Sequence, residues 1–84
     1  MSELTSLRNI GRALERKLKS VDINTAEALK EAGSREAFTR LKLQMHKVCL
    51  VHLYALEGAV IDREFNELPE ETKQSLKEFS DGLK

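Results

Sequence analysis

Two histidines and the single cysteine are the residues of this chain best suited to binding a metal. His46, Cys49 and His52 follow one another at intervals of three, which on a helix places them along one side. Structural zinc usually takes four such ligands, supplied as closely spaced pairs. The sequence contains no second pair. We therefore expect no metal site and no cofactor, and a structural role for these three residues.

Glu57 is a carboxylate inside an apolar run and is the second candidate for chemistry. General acid–base catalysis requires another titratable group and a pocket. The sequence offers no paired carboxylates, no nucleophile with an accompanying histidine and aspartate, and no glycine-rich phosphate loop. We therefore predict that the chain is not an enzyme. A charge in this run must be paired, hydrogen-bonded or near the rim, and we expect Glu57 to accept hydrogen bonds from a helix N-terminus or an arginine.

A glycine turn followed by a basic helix is the pattern with the most functional content. Asn9-Ile10-Gly11 predicts a tight turn after a short helix, and a second helix begins at Arg12. Two stripes run along this helix with the same i, i+4, i+7 spacing. The apolar stripe is Leu14, Leu18 and Val21, and the basic stripe on the opposite side is Arg12, Arg16 and Lys19.

This layout is typical of a helix-hairpin-helix, in which free backbone N–H groups and nearby Arg or Lys side chains hold a phosphate. The alternative is that Gly11 only permits the turn and that the basic stripe is an ordinary solvated face. We favour the hairpin shape and predict a surface that contacts a protein partner or a nucleic acid. Its residues are Arg8, Asn9, Gly11, Arg12, Arg16 and Lys19.

The run that begins at Val48 and ends at Ile61 is the element around which the other helices must pack. Only His52, Glu57 and Gly58 interrupt its apolar residues, so we expect it to be covered nearly all round. A membrane span would need about twenty apolar residues and would disfavour a central Glu, so a buried helix fits better. Gly58 would let a neighbouring helix approach closely.

Shorter helices precede this central run. Asn24 or Thr25 is expected to cap a third helix, and Gly33 is expected to end it in a left-handed conformation. Ser34 is then expected to cap a fourth helix. Its apolar stripe is Ala37, Phe38, Leu41 and Met45.

The two ends of the chain complete the predicted architecture. A short first helix is expected between Ser2 and Arg8, and a last helix with Pro69 at its first position. Phe65 is expected to anchor the intervening segment on the core. The apolar stripe of the last helix is Thr72, Leu76, Phe79 and Leu83. The predicted class is all-α: a compact bundle of five to six short helices around a buried central helix, with a helix-hairpin-helix-like N-terminal part.

Length and composition indicate one small domain, residues 1–84, with a formal net charge of zero. Zero net charge argues against strong non-specific capture of nucleic acid or an anionic membrane, although the front of the chain is basic and the tail acidic. One cysteine excludes an internal disulfide, and we expect Cys49 to be buried in a reducing compartment. No targeting segment is visible, which predicts a cytoplasmic protein. We expect neither a membrane partner nor a small-molecule substrate.

Two blocks of the sequence resemble the C-terminal domain of the TfoX (Sxy) regulators of bacterial competence. The first block is Leu4, Leu7, Asn9-Ile10-Gly11, Leu18, Ile23, Thr25, Leu29 and Gly33. The second is Leu53-Tyr54-Ala55-Leu56-Glu57-Gly58-Ala59, followed by Leu68-Pro69. Arg12 stands where the family often has proline, and Phe65 where it often has tryptophan.

The resemblance implies a compact helical domain that normally follows a separate N-terminal domain. Such proteins promote the expression of DNA-uptake genes together with a global transcription activator. The family supplies no catalytic residues. We therefore predict a non-enzymatic interaction domain that docks a protein partner in transcription regulation. The alternative is a helix-hairpin-helix-type module that binds DNA independently of its sequence.

Overall fold

The computed structural model describes residues 3–45 and 47–83, and this part of the chain is entirely helical and irregular, without a strand. The α-helices are α1 (Arg12–Ser20), α2 (Ala26–Ala32), α3 (Ser34–Gln44), α4 (Leu50–Ile61) and α5 (Glu70–Gly82). Two 3₁₀ turns lie at Leu4–Ser6 and Phe65–Glu67. The predicted all-α class is confirmed. The expected first helix is reduced to the 3₁₀ turn Leu4–Ser6, and its start at Ser2 lies outside the described residues.

Helix α4 is the central helix, and it packs against α3, α5 and the second 3₁₀ turn. Leu53, Leu56 and Ala59 on this helix have no exposed surface. The expectation that this helix is covered nearly all round is met only in part, because Val51 and Ile61 are 55% and 44% exposed. A chain of 84 residues has too few helices to enclose one of them completely.

Local sequence signals set the ends of α1 and α2. Leu18 is buried in the core, and its carbonyl oxygen accepts the N–H of Ile23 at 2.9 Å across a turn in which Asp22 has a φ of 68°. This is the pattern of a Schellman cap. The Thr25 hydroxyl oxygen then accepts the N–H of Ala28 at 3.0 Å, which makes Thr25 the N-cap of α2.

The junction between α2 and α3 differs in detail from the prediction. Gly33 has a positive φ of 86°, as expected, but its ψ of 161° is extended and not left-handed helical. Gly33 is also the N-cap of α3, and Ser34 is the first residue of that helix. The Ser34 side chain therefore does not cap α3, because its hydroxyl is engaged elsewhere in the core.

Three more positions correct the sequence-based expectations. Cys49 is exposed instead of buried, because it precedes α4 as its N-cap. Phe65 is 40% exposed, whereas Leu68 is 5% exposed and anchors the segment before α5. Pro69 is the N-cap of α5, one residue before its first turn.

Among the described helices, none combines the length and the apolar character that a membrane crossing requires.

Candidate partner-binding surface

The basic face of α1, formed by Arg12, Arg16 and Lys19, is exposed to solvent. The opposite side of the helix buries Leu14 and Leu18 in the core. Lys19 lies 3.9 Å from the carboxylate of Glu15, a distance at the limit of an ion pair. Arg12 and Arg16 have no ion pair with any described residue. The face therefore presents two free guanidinium groups and one ammonium group whose charge is partly neutralised by Glu15.

The side chain of Asn9 connects the turn before α1 to other segments of the domain. The side-chain N–H groups of Asn9 donate to the carbonyl oxygens of Ala55 at 3.4 Å and of Arg63 at 2.9 Å. Its side-chain oxygen accepts the backbone N–H of Phe65 at 3.3 Å. Asn9 also has a positive φ of 69°, which asparagine tolerates better than most residues. Asn9 thus joins the turn to α4 and to the segment that follows it.

Arg8, next to Asn9, is also engaged within the domain. Its guanidinium group donates to Asp62 at 3.0 Å and to Glu64 at 3.1 Å. The hydrogen bond and charge of Asp62, with a contribution from Glu64, raise the pKa of Arg8 above its ordinary value. Arg8 and Asn9, two of the six predicted contact residues, are therefore bonded to α4 and to the segment that follows it.

Gly58 lies under the Asn9 side chain. A Cβ atom at position 58 would overlap the Asn9 amide nitrogen and the carbonyl oxygen of Arg63. Sequence reasoning expected a neighbouring helix to approach this glycine. The approaching groups are instead a side chain from the N-terminal turn and the backbone after α4.

Glu57, the neighbour of Gly58, makes a hydrogen bond on the other side of α4. One of its carboxylate oxygens accepts the Ser34 hydroxyl at 2.6 Å, and Ser34 is only 4% exposed. The sequence suggested a helix N-terminus or an arginine as the donor. The donor is the side chain of the first residue of α3, so this bond links α3 to α4.

A pocket of about 570 Å³ lies between α1 and the segment that joins α3 to α4. The described residues that line it are Lys17, Met45, Lys47, Val48 and His52. Sequence reasoning missed it, because three separate segments form its walls. The one available signal was the short segment between α3 and α4, in which the apolar residues Met45 and Val48 lie on either side of Lys47.

His52 is held in one tautomer beside this pocket. Its Nδ1 accepts the backbone N–H of Cys49 at 3.1 Å and lies 3.5 Å from the Cys49 Sγ. Burial, and then the positive charge of Lys17, lower the pKa of His52 below its ordinary value. Because Nδ1 accepts a hydrogen bond, the neutral ring carries its proton on Nε2. His46, the other histidine of the spaced set, lies outside the described residues, within which no three metal-ligating side chains come together.

The described residues form a small helical domain with an exposed basic helix, and sequence comparison gives its family. The chain belongs to the family described as the TfoX C-terminal domain, whose model matches residues 1–80. No curated protein matches this chain.

The fold is also similar to crystal structures from Listeria monocytogenes. One is an uncharacterized protein in a triclinic form, 43% identical, with a TM-score of 0.95 and coverage of 98% of this chain and 93% of that one. Another is a protein of unknown function in a tetragonal form, also 43% identical, with a TM-score of 0.94 and coverage of 98% and 100%.

Proposed function

We propose that this chain is a non-enzymatic interaction domain of a TfoX-like regulator of natural competence, which acts in transcription regulation by docking a protein partner. Family membership supports the regulator part of the proposal. The observation that supports docking through α1 is the internal engagement of Arg8 and Asn9, which leaves Gly11 and the basic face of α1 as the accessible part of the predicted contact surface. The proposal implies a cytoplasmic location.

The chemistry of the basic face favours a partner that carries carboxylates. Arg12 and Arg16 have no described ion pair, so a partner need not displace an internal carboxylate to reach them. A guanidinium group can donate two parallel hydrogen bonds to one carboxylate, which gives geometric specificity as well as attraction. An acidic patch on a transcription activator would suit this face.

DNA is the second candidate, because one feature of α1 favours it. No side chain caps the N-terminus of α1, and Gly11 and Arg12 are exposed there, so backbone N–H groups are accessible to a phosphate. Three cations would give weak binding, with a log–log salt slope of about −3. Such an affinity is low for a domain whose function is to hold duplex DNA.

The test reverses the three charges of the basic face in R12E/R16E/K19E. The probes are the purified global transcription activator of the source bacterium and a labelled duplex of about twenty base pairs at low salt. We expect the wild-type chain to bind the activator and the variant not to bind it. Cells that carry the variant should also lose the transcripts of the DNA-uptake genes. The matched control is K30E/R63E/K77E, which reverses three exposed charges elsewhere and should retain binding.

Two results would contradict the proposal. Docking through this face would be excluded if R12E/R16E/K19E still bound the activator. It would also be excluded if the wild-type chain did not bind the activator. Binding of the duplex by the wild-type chain, lost in the variant and weakened by salt, would establish the DNA alternative.

A further inference from the structure

The pocket beside α1 has an apolar floor. Val48 is 1% exposed, and Met45, which packs against the core, offers an unbranched side chain that adapts to the shape of a ligand. Binding pockets commonly range over about 300–1,000 Å³. A volume of about 570 Å³ is therefore sufficient for one large apolar side chain and part of its backbone.

Two exposed apolar residues lie close to the lining residues in the chain. Leu43 precedes the lining residues and is 78% exposed, and Val51 lies among them and is 55% exposed. Exposed apolar side chains are common at protein-binding surfaces. Their burial by a partner would add to the stability of a complex.

The rim of the pocket is basic. Lys17 and Lys47 line it, no described lining residue is acidic, and neither lysine forms an ion pair with a described residue. His52 adds a hydrogen-bond donor, because its Nδ1 already accepts the Cys49 N–H and the proton of the neutral ring is on Nε2. A ligand that fits these groups carries carboxylates around an apolar centre.

We propose that this pocket receives a large apolar side chain from a protein segment that carries carboxylates on either side of that residue. The inference rests on the proposed function of protein docking and specifies the chemistry of one docked segment. A nucleic acid offers phosphates but no apolar side chain for the Met45 and Val48 floor. A membrane surface offers no side chain that could enter a concave pocket.

The pocket is distinct from the basic face of α1. Lys17 follows Arg16 directly, and this step turns the side chain by roughly 100° around the helix. Variants can therefore address the two surfaces separately. K17E/K47E alters the rim of the pocket, and R12E/R16E/K19E alters the basic face.

A phage-displayed library of random peptides, panned on the intact chain, tests the proposal. We expect the enriched peptides to share a Phe, Leu, Trp or Met flanked by Asp or Glu. A selected peptide should bind K17E/K47E at least about tenfold more weakly than wild type. It should bind R12E/R16E/K19E and the control K30E/K77E as the wild-type chain does. In ¹H–¹⁵N spectra, the peptide should shift the amides of Lys17, Lys47 and His52.

Peptides without an acidic and apolar consensus, or with unchanged affinity for K17E/K47E, would overturn the proposal. So would the absence of any enriched peptide. Spectra of the free variants establish that they are folded, so a loss of binding reports the rim charges. The proposed function fails by a different result, retention of the transcription activator by R12E/R16E/K19E.

Discussion

The side-chain amide of Asn9 lies where a Cβ atom at position 58 would be, so that a residue of the N-terminal turn occupies the space that any side chain in place of Gly58 would need. The same amide donates to the carbonyl oxygens of Ala55 and Arg63. The two sequence blocks that resemble the TfoX family therefore meet in space at these two residues. Their contact gives a physical reason for asparagine in one block and glycine in the other.

Gly58→Ala should destabilise the domain, although alanine is the better helix former. Alanine in a helix gains about 1 kcal/mol over glycine, while overpacking costs typically about 1–3 kcal/mol and sometimes more. The overlap here involves the backbone oxygen of Arg63, which cannot rotate away, so we expect the cost to prevail. Urea titration measures the change. Gly82→Ala is the control, because nothing lies within 4 Å of a Cβ there, and equal stabilities of the two variants would contradict the prediction.

Asn9→Asp tests the hydrogen bonds at nearly constant shape. Aspartate also tolerates a positive φ, so the backbone preference is largely retained. The variant loses both donated hydrogen bonds and places a carboxylate against two carbonyl oxygens. We expect a loss of about 2 kcal/mol or more in the free energy of unfolding. Asn66→Asp, at an exposed position, should change little, and an equally small effect at Asn9 would show that its hydrogen bonds contribute nothing.

Glu57→Ala should leave the buried Ser34 hydroxyl without its acceptor and destabilise the domain by about 1–3 kcal/mol. A double-mutant cycle with Ser34→Ala isolates the interaction, and we expect a coupling energy of at least about 0.5 kcal/mol. Glu70→Ala is the control, because Glu70 is exposed. Similar small losses for both glutamate variants, or independent effects of Ser34 and Glu57, would mean that solvent already satisfies Glu57.

His52 should make stability depend on pH. Its folded-state pKa is lowered by burial and by Lys17, so the unfolded chain takes up the proton first as pH falls. The contribution of His52 is therefore fully present above the unfolded pKa of about 6.5 and is lost as pH falls below it, toward the lowered folded value. Urea midpoints over this window measure the loss. His52→Gln should show a weaker dependence, and an unchanged one would assign the effect to other groups.

The parts of the fold that follow from local sequence were predictable, and the parts that depend on distant contacts were not. The spacing of Leu14 and Leu18 indicated which face of α1 is buried, and Thr25 was one of the two predicted caps of α2. Both signals act within a few residues. The partners of Asn9 are backbone groups 46 to 56 positions away, which have no side-chain signature in the sequence.

Sequence reasoning also failed to predict which residues near the start of α4 are exposed. Periodicity shows whether a helix has a polar face, but it does not show how many neighbours are available to cover an apolar one. Cys49 and Val51 were therefore expected inside and are exposed. The pocket could not be found for a related reason, since its floor and rim come from α1, from the segment after α3 and from α4.

The long reach of Asn9 also sets an order of events during synthesis on the ribosome. Its hydrogen bonds to Arg63 and Phe65 span 54 and 56 positions, so the N-terminal turn emerges long before its partners have been translated. Contacts at such separations slow folding, because the loop-closure entropy must be lost before the contacts form. The turn that leads into the basic helix therefore reaches its final geometry only after Phe65 has left the exit tunnel.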